Sequence, residues 1–155
     1  MESSTLTFLP VSLRADNILV VGGGRVATHK ATILKRYTDD VRIVGAELSD
    51  EIKSLGFAYE ERRVELEDLR GARIVFICTG DHELNRRLKI EAERWHVLAS
   101  VCDAPELCDF TSPAICAVGD GVTISVASDS RDVKRSIRIR DRIQELIANG
   151  VLATD

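Results

Sequence analysis

A run of apolar residues that ends in three glycines constrains the fold of this chain more than any other feature. Residues 18–21 read Ile-Leu-Val-Val, and Gly22, Gly23 and Gly24 follow directly. A continuous apolar run of this length is typical of a parallel strand that is covered on both faces. Apolar residues then return at helical spacing from Val26 onward. The segment therefore predicts a buried strand, a tight turn and a helix.

The same turn matches the fingerprint of a dinucleotide-binding βα unit. Gly22, Gly24 and Ala27 occupy the small positions of G-x-G-x-x-[GA]. The first glycine permits the tight turn, the second lets a pyrophosphate approach the backbone, and the small third residue allows close helix packing. The phosphates would lie on the N–H groups at the start of the helix, which lack intrahelical partners. The alternative is a glycine-rich turn that binds no ligand.

Strand-like and helix-like segments alternate along the first two thirds of the chain. Further strand patterns occupy residues 41–44, 57–64, 72–78 and 97–102. This alternation predicts an α/β fold with a Rossmann-like, doubly wound parallel sheet. A Gly-Asp-Gly turn, a β segment at residues 122–127 and a helical pattern then predict a small C-terminal α+β segment. We expect a nucleotide-binding domain over residues 1–112 and a hairpin-plus-helix segment over residues 113–155.

Ligands of doubly wound sheets gather beyond the carboxyl ends of the strands. Besides the glycines, Glu47, residues 79–81 and Asp103 each follow a predicted strand. Glu47 lies near the position, roughly twenty residues after the glycines, where an acidic residue holds the ribose hydroxyls. No arginine follows it to favour a 2′-phosphate, so NAD is favoured over NADP. Asp103 precedes Ala-Pro and is either a turn residue or a functional carboxylate.

Composition excludes several functional classes. Hydrophobic residues make up 45% and charged residues 30% of 155 positions, as in ordinary globular proteins. The net charge of −4 argues against a nucleic-acid-binding surface. No stretch is long enough to span a membrane and no signal peptide is recognisable, which predicts a cytoplasmic protein. The arginine-rich start of the last helix is either a solvated face or a counter-charge for a polycarboxylate ligand.

The four cysteines do not form a recognisable metal-binding pattern. Cys78, Cys102, Cys108 and Cys116 include no C-x-x-C pair, and their spacing matches no common zinc site, so no metal is predicted. Cys78 and Cys102 lie in apolar runs, where a thiol usually acts as a small buried hydrophobe. Disulfides are not expected in a reducing cytosol.

Four segments, taken in order, resemble the siroheme synthase N-terminal domain family. They are GGGRVATHK at residues 22–30, VRIVGAEL at 41–48, TGDHELNRR at 79–87 and VCDAPELCDF at 101–110. The family comprises precorrin-2 dehydrogenases, some of which are also sirohydrochlorin ferrochelatases. The resemblance implies an enzyme that oxidises precorrin-2 to sirohydrochlorin with NAD, in siroheme biosynthesis. It also implies an acidic tetrapyrrole substrate and a homodimer formed through the chain after Gly121.

The resemblance assigns roles to individual residues. It implies that Asp103 is the catalytic residue, and that Ser128 lies near the tetrapyrrole pocket. The scattered histidines (His29, His82 and His96) are expected on the surface or in helix packing. The full set of candidate substrate-binding residues is Asp103, Phe110, Pro113 and Ser128. The candidate cofactor-binding residues are Gly22, Gly23, Gly24, Arg25, Val26, Glu47, Leu48, Thr79, Gly80, Asp81 and Asn85.

One loop departs from the family pattern. The family usually follows its serine with Gly-Gly-Lys-Ser-Pro, whereas residues 129–133 here read Asp-Ser-Arg-Asp-Val. This departure motivates an alternative hypothesis, a non-catalytic module that binds NAD(H) or a tetrapyrrole for sensing or carriage. A third hypothesis is a subunit for which a partner chain supplies, in trans, the C-terminal portion found in many family members.

Overall fold

The computed structural model describes residues 7–153, which divide into two compact units. The larger unit comprises residues 11–110, and the smaller comprises residues 7–10 together with residues 111–153. The predicted domains, residues 1–112 and 113–155, include residues 1–6 and 154–155, which lie outside the described part. Their limits stay a prediction.

A five-stranded parallel sheet forms the centre of the larger unit. The strands lie in the order β3-β2-β1-β4-β5, so the glycine turn follows the central strand, and the chain reverses direction across the sheet at β1. This order confirms the predicted doubly wound, Rossmann-like sheet. The strands are β1 Ile18–Val21, β2 Val41–Gly45, β3 Ala58–Glu61, β4 Ile74–Ile77 and β5 Leu98–Val101.

Helices cover both faces of this sheet. Helices α1 (Arg25–Leu34) and α2 (Asp50–Ser54) pack on one face. Helix α3 (His82–Arg94) and a 3-10 turn at Leu66–Leu69 pack on the other. Since side chains alternate along a strand, Ile18 and Val20 of β1 enter the first core, while Leu19 and Val21 enter the second. This double burial explains why β1 is apolar at every position.

The smaller unit is a hairpin with one helix. Strands β6 (Ala114–Gly119) and β7 (Val122–Val126) pair antiparallel, and helix α4 (Val133–Ala148) packs against them. Asp132 is the N-cap of this helix, and its carboxylate accepts the N–H of Arg135 at 2.8 Å. The predicted hairpin and C-terminal helix are thereby confirmed.

The edge strand β3 is shorter than the strand pattern at residues 57–64. Its four residues are all exposed, and the chain leaves the sheet after Glu61. Arg62 then reaches Asp68 of the 3-10 turn, with its Nη2 atom 2.6 Å from Oδ1.

Across residues 7–153, every helix is too short or too polar to cross a bilayer.

Candidate functional site

The first two glycines of the turn are required by close approach of backbone segments. Gly22 has a φ of +119°, and a Cβ atom there would lie 2.5 Å from the carbonyl oxygen of Cys78. A Cβ atom on Gly23 would lie only 1.8 Å from the carbonyl oxygen of Glu47. The glycine turn is thus packed between the ends of β2 and β4, and its tightest position is the variable x of the fingerprint.

Gly24 has the opposite environment. It is the N-cap of α1, with a φ of −82°, and a Cβ atom built on it would meet nothing within 4 Å. No side chain caps this helix, in contrast to α2 and α3, which Ser49 and Asp81 cap. Its first N–H groups therefore have no intrahelical or side-chain partner and face an open surface. Such a helix start is suited to an anion.

The end of β2 forms the second wall of the glycine turn. Glu47 is exposed, while Leu48 is buried beneath the turn with 7% of its surface exposed. The backbone N–H of Leu48 donates to Oε1 of Glu61 at 3.0 Å. The ammonium group of Lys53, followed by this N–H, holds the pKa of Glu61 below its usual range. These contacts hold the loop that carries Glu47 and Leu48 in place.

Asp103 follows β5 and is held by two residues of helix α3. The Nδ2 atom of Asn85 donates to Oδ1 of Asp103 at 3.1 Å and to the carbonyl oxygen of Thr79 at 3.0 Å. Asn85 is 1% exposed, and its own Oδ1 accepts from the Thr79 hydroxyl. The Nδ1 atom of His82 contacts Oδ2 of Asp103. The buried amide thus links the ends of β4 and β5 and orients the carboxylate.

The contact of His82 with Asp103 is not predicted by the sequence pattern. The histidine lies on the surface as predicted, with 80% of its side chain exposed, but it pairs with Asp103. One signal was available, because His82 comes directly after the polar residues Thr79–Asp81 at the carboxyl end of β4. Strand β4 neighbours β5, so the start of α3 lies beside Asp103.

Cys78 and Cys102 are less buried than their apolar runs predict, although Cys78 packs against the first core. Both side chains are half-buried, and their Sγ atoms lie 2.6 Å apart. The apolar pattern misled because each cysteine comes one position after its strand, where the sheet opens towards the ligand edge.

A cleft of about 410 Å³ lies between the starts of α1 and α2. It contains two of the predicted cofactor-binding residues, Gly24 and Arg25. Thr28 and Ser49 also line the cleft, and their hydroxyls share a 2.8 Å hydrogen bond. The remaining lining residues are His29, Thr32 and Glu51.

The candidate substrate residues are divided between the two units. Phe110 belongs to the larger unit, where its ring packs edge-on against Phe76 with centroids 5.4 Å apart. Pro113 and Ser128 belong to the smaller unit. The Ser128 hydroxyl accepts the backbone N–H of Asp132 at 3.1 Å, which closes the loop after β7.

Two residues of the altered loop adopt a conformation that glycine favours. Asp129 and Ser130 have φ angles of +54° and +60°. The Asp129 carboxylate accepts the backbone N–H groups of Thr7 and Phe8 at 2.8–2.9 Å. Burial opposes the charge on Asp129, but these N–H groups outweigh it and lower the pKa of the carboxyl. The loop therefore holds two non-glycine residues at left-handed φ angles.

Two arginines of the arginine-rich helix α4 make contacts within the smaller unit. Arg140 donates to the carbonyl oxygen of Ile115 at 3.4 Å, and Arg142 pairs with Glu145 at 2.5 Å. Within residues 7–153, no three His, Cys, Asp or Glu side chains converge in an arrangement that could hold a metal ion.

Comparison with known proteins relates this site to one family. Residues 9–114 match the model of a family described as "Putative NAD(P)-binding", a description that covers both dinucleotides. A siroheme synthase from Ectopseudomonas mendocina is 36% identical over 114 residues, which are 71% of this chain and 25% of that protein. A siroheme synthase from Methylobacillus flagellatus is 34% identical over 148 residues, which are 90% of this chain and 31% of that protein.

A solved structure shares the fold. SirC, a precorrin-2 dehydrogenase, superposes with a TM-score of 0.75 at 21% identity, covering 89% of this chain and 70% of that one. The chain spans about a quarter to a third of the length of the siroheme synthases it matches. Residues 9–114 match the family model and siroheme synthases align over 71–90% of this chain, so the chain belongs to the siroheme synthase N-terminal domain family.

Proposed function

We propose that this chain oxidises precorrin-2 to sirohydrochlorin in siroheme biosynthesis, with NAD as the hydride acceptor. The observation that carries the proposal is the carboxylate of Asp103, which Asn85 and His82 hold at the carboxyl end of β5. The uncapped start of α1 opens at the same edge of the sheet. The siroheme synthases among the relatives and the precorrin-2 dehydrogenase with the same fold support this reaction.

The residues at the end of β1 fit a dinucleotide. Gly24 leaves open space above the first turn of α1, where the N–H groups favour phosphate oxygens. Arg25 and Val26 form that exposed first turn, and the exposed carboxylate of Glu47 would accept hydrogen bonds from ribose hydroxyls. Residues 79–81 follow β4, which lies between β1 and β5, so they come between the glycine turn and Asp103 at this edge of the sheet. A bound nicotinamide supplies the acceptor for one hydride.

The strand order brings the two halves of the site together. Gly22 contacts the carbonyl of Cys78 at the end of β4, and β4 pairs directly with β5. Because neighbouring strands lie about 4.8 Å apart, the ends of β1 and β5 are separated by roughly 10 Å. A dinucleotide is long enough to reach from the start of α1 to the neighbourhood of Asp103.

Asp103 acts as the base in this proposal. Oxidation of precorrin-2 removes a hydride and a proton, and the proton passes to Oδ2 of Asp103. His82 contacts that same oxygen while its ring is largely exposed, so it orients the carboxylate at the border with solvent. Asn85 holds the other carboxylate oxygen and is a positioning residue.

Anaerobic turnover of precorrin-2, followed by the absorbance of sirohydrochlorin, tests the proposal with NAD and NADP in turn. Asp103→Asn is expected to lower kcat about 100-fold or more, because a positioned general base contributes 10²–10⁴-fold. The affinity for NAD should change less than twofold. Glu106→Gln is the matched control, since Glu106 is an exposed carboxylate in the next turn. Turnover by Asp103→Asn at the wild-type rate would refute the assigned role.

The loop at residues 129–133 favours a second candidate, a module that binds NAD(H) or a tetrapyrrole without turnover. The hydroxyl of Ser128 is engaged by Asp132, and the family's glycines and proline are replaced. Calorimetry that finds tight NAD(H) binding, together with no turnover of precorrin-2, would establish this alternative.

The homodimer, the cytoplasmic location and the additional ferrochelatase activity stay predictions. Size-exclusion chromatography with light scattering measures the mass of the particle in solution and so tests the dimer. Sirohydrochlorin with ferrous iron as second substrate tests ferrochelation in the same anaerobic assay.

A further inference from the structure

Cys78 and Cys102 are neighbours across two parallel strands. Ile77 of β4 pairs in register with Val101 of β5, and each cysteine is the next residue along its chain. The N–H of Cys102 donates to the carbonyl oxygen of Ile77 at 2.9 Å, which extends the pairing to the cysteines. Residues in register point to the same face, with Cα atoms about 4.8 Å apart. That spacing lies within the 4.4–6.8 Å range of disulfides.

The two sulfur atoms already lie within reach of each other. Their separation is 2.6 Å, and the length of a disulfide bond is about 2.05 Å. A small rotation of the side chains would therefore bring the two sulfur atoms to bonding distance. Both residues are half-buried, so a small oxidant can reach them while a protein reductant is hindered. The other cysteines differ, because Cys108 lies against the backbone of Val101 and Cys116 is buried in the smaller unit.

The two thiols have unequal acidities. The hydrogen bond from Cys78, assisted against burial by the positive charge of Lys30, lowers the pKa of Cys102. The same hydrogen bond, together with burial, raises the pKa of Cys78. Cys102 is therefore the residue that ionises first and attacks as the thiolate, while Cys78 keeps its proton.

We propose that Cys78 and Cys102 form a peroxide-sensitive dithiol that closes to an intramolecular disulfide at the edge of the candidate site. The Cys102 thiolate attacks one oxygen of hydrogen peroxide, the O–O bond breaks, and the departing hydroxide takes a proton to become water. Sulfur of Cys78 then attacks the Cys102 sulfenic acid, the S–O bond breaks, and the hydroxide leaves as water with the Cys78 proton. The thiols lose two electrons and two protons, and the peroxide is reduced to two molecules of water.

The disulfide would join the ends of two strands of the site. Thr79 follows Cys78 and Asp103 follows Cys102, so the link would restrain both backbone segments next to the carboxylate. This proposal goes beyond the proposed reaction, and its chemistry requires neither NAD nor a tetrapyrrole. Its test can therefore fail while the dehydrogenase proposal stands, and the reverse.

The test treats the fully reduced chain with hydrogen peroxide and maps its peptides by mass spectrometry without reduction. We expect two of the four thiols to be lost, a cross-linked pair of peptides that contain Cys78 and Cys102, and full recovery with dithiothreitol. In Cys78→Ser the reaction should stop at a Cys102 sulfenic acid, which dimedone traps. Cys108→Ser is the matched control and should form the same disulfide as the wild type.

Three results would overturn the proposal. They are retention of all four thiols, a disulfide that involves Cys108 or Cys116, and, in Cys78→Ser, labelling of Cys108 by dimedone at least as fast as Cys102. If Cys78→Ser does not fold, the wild-type peptide map and its rate of thiol loss still decide the matter. We expect Cys102 to be labelled faster than Cys108, because its sulfur lies beside Cys78 and its lowered pKa increases the thiolate fraction.

Discussion

Two alanine substitutions in the glycine turn should separate its structural role from its ligand-binding role. Gly23→Ala places a Cβ atom 1.8 Å from the carbonyl oxygen of Glu47 and 2.8 Å from Cδ2 of Leu48. Gly24→Ala, one residue later, places its Cβ atom in open space. We therefore expect Gly23→Ala to destabilise the fold, and Gly24→Ala to leave the fold intact while weakening dinucleotide binding.

The magnitudes follow from these contacts. The Gly23 substitution must move two backbone segments apart by more than 1 Å, and overpacking of this kind costs about 3 kcal/mol. In a chain of this size the loss corresponds to a fall in Tm of about 6–12 °C. At the N-cap, alanine is worse than glycine by less than about 1 kcal/mol. Its methyl group would hold phosphate oxygens away from the helix start, and we expect Kd for NAD to rise about tenfold, equivalent to ~1.4 kcal/mol.

Thermal unfolding by circular dichroism measures the first effect, and calorimetric titration with NAD measures the second. The two variants serve as controls for each other, because each should change one measurement far more than the other. Wild-type stability of Gly23→Ala would refute the packing argument. Wild-type affinity of Gly24→Ala would show that phosphates do not bind at the start of α1.

Two further substitutions test contacts away from the site. Hydrogen bonds from Arg62, opposed by burial and aided by the N–H of Glu65 and by Arg42, hold the pKa of Asp68 far below its usual value. The carboxylate therefore stabilises the fold above pH ~3.9, and this contribution falls by up to ~1.4 kcal/mol per pH unit below it. Urea unfolding between about pH 4 and pH 2 should show a steeper loss of stability in the wild type than in Asp68→Asn, where the lowered carboxyls of Glu61 and Asp129 still titrate. Equal slopes would contradict the assignment. Ser130→Gly should raise the free energy of unfolding by about 0.5–1 kcal/mol, because it removes a left-handed non-glycine residue. The control is Ser125→Gly, at an exposed position of β7, and it should lower the free energy of unfolding. A loss of stability in both variants would count against strain at Ser130.

The elements of this fold were predictable where their signals are local. The apolar run of β1, the turn glycines and the helical period of α1 lie within one short segment, so each supports the others. The loop after Ser128 shows the limit of such signals, because Asp129 and Ser130 keep left-handed angles that their residue types favour only weakly. The N–H groups of Thr7 and Phe8, more than a hundred residues away, hold Asp129 there.

Local patterns along the chain are enough to predict that a buried strand leads through a glycine turn into a helix, and that such units repeat to build a parallel sheet. Which side chains meet at the edge of that sheet depends on the tertiary fold. Asn85 and Asp103 are 18 residues apart in the chain, and Cys78 and Cys102 are 24 apart. Each pair meets because β4 and β5 are neighbours in register. Strand order depends on how the whole core packs, and the apolar pattern fixes the register only between strands that the fold has made neighbours.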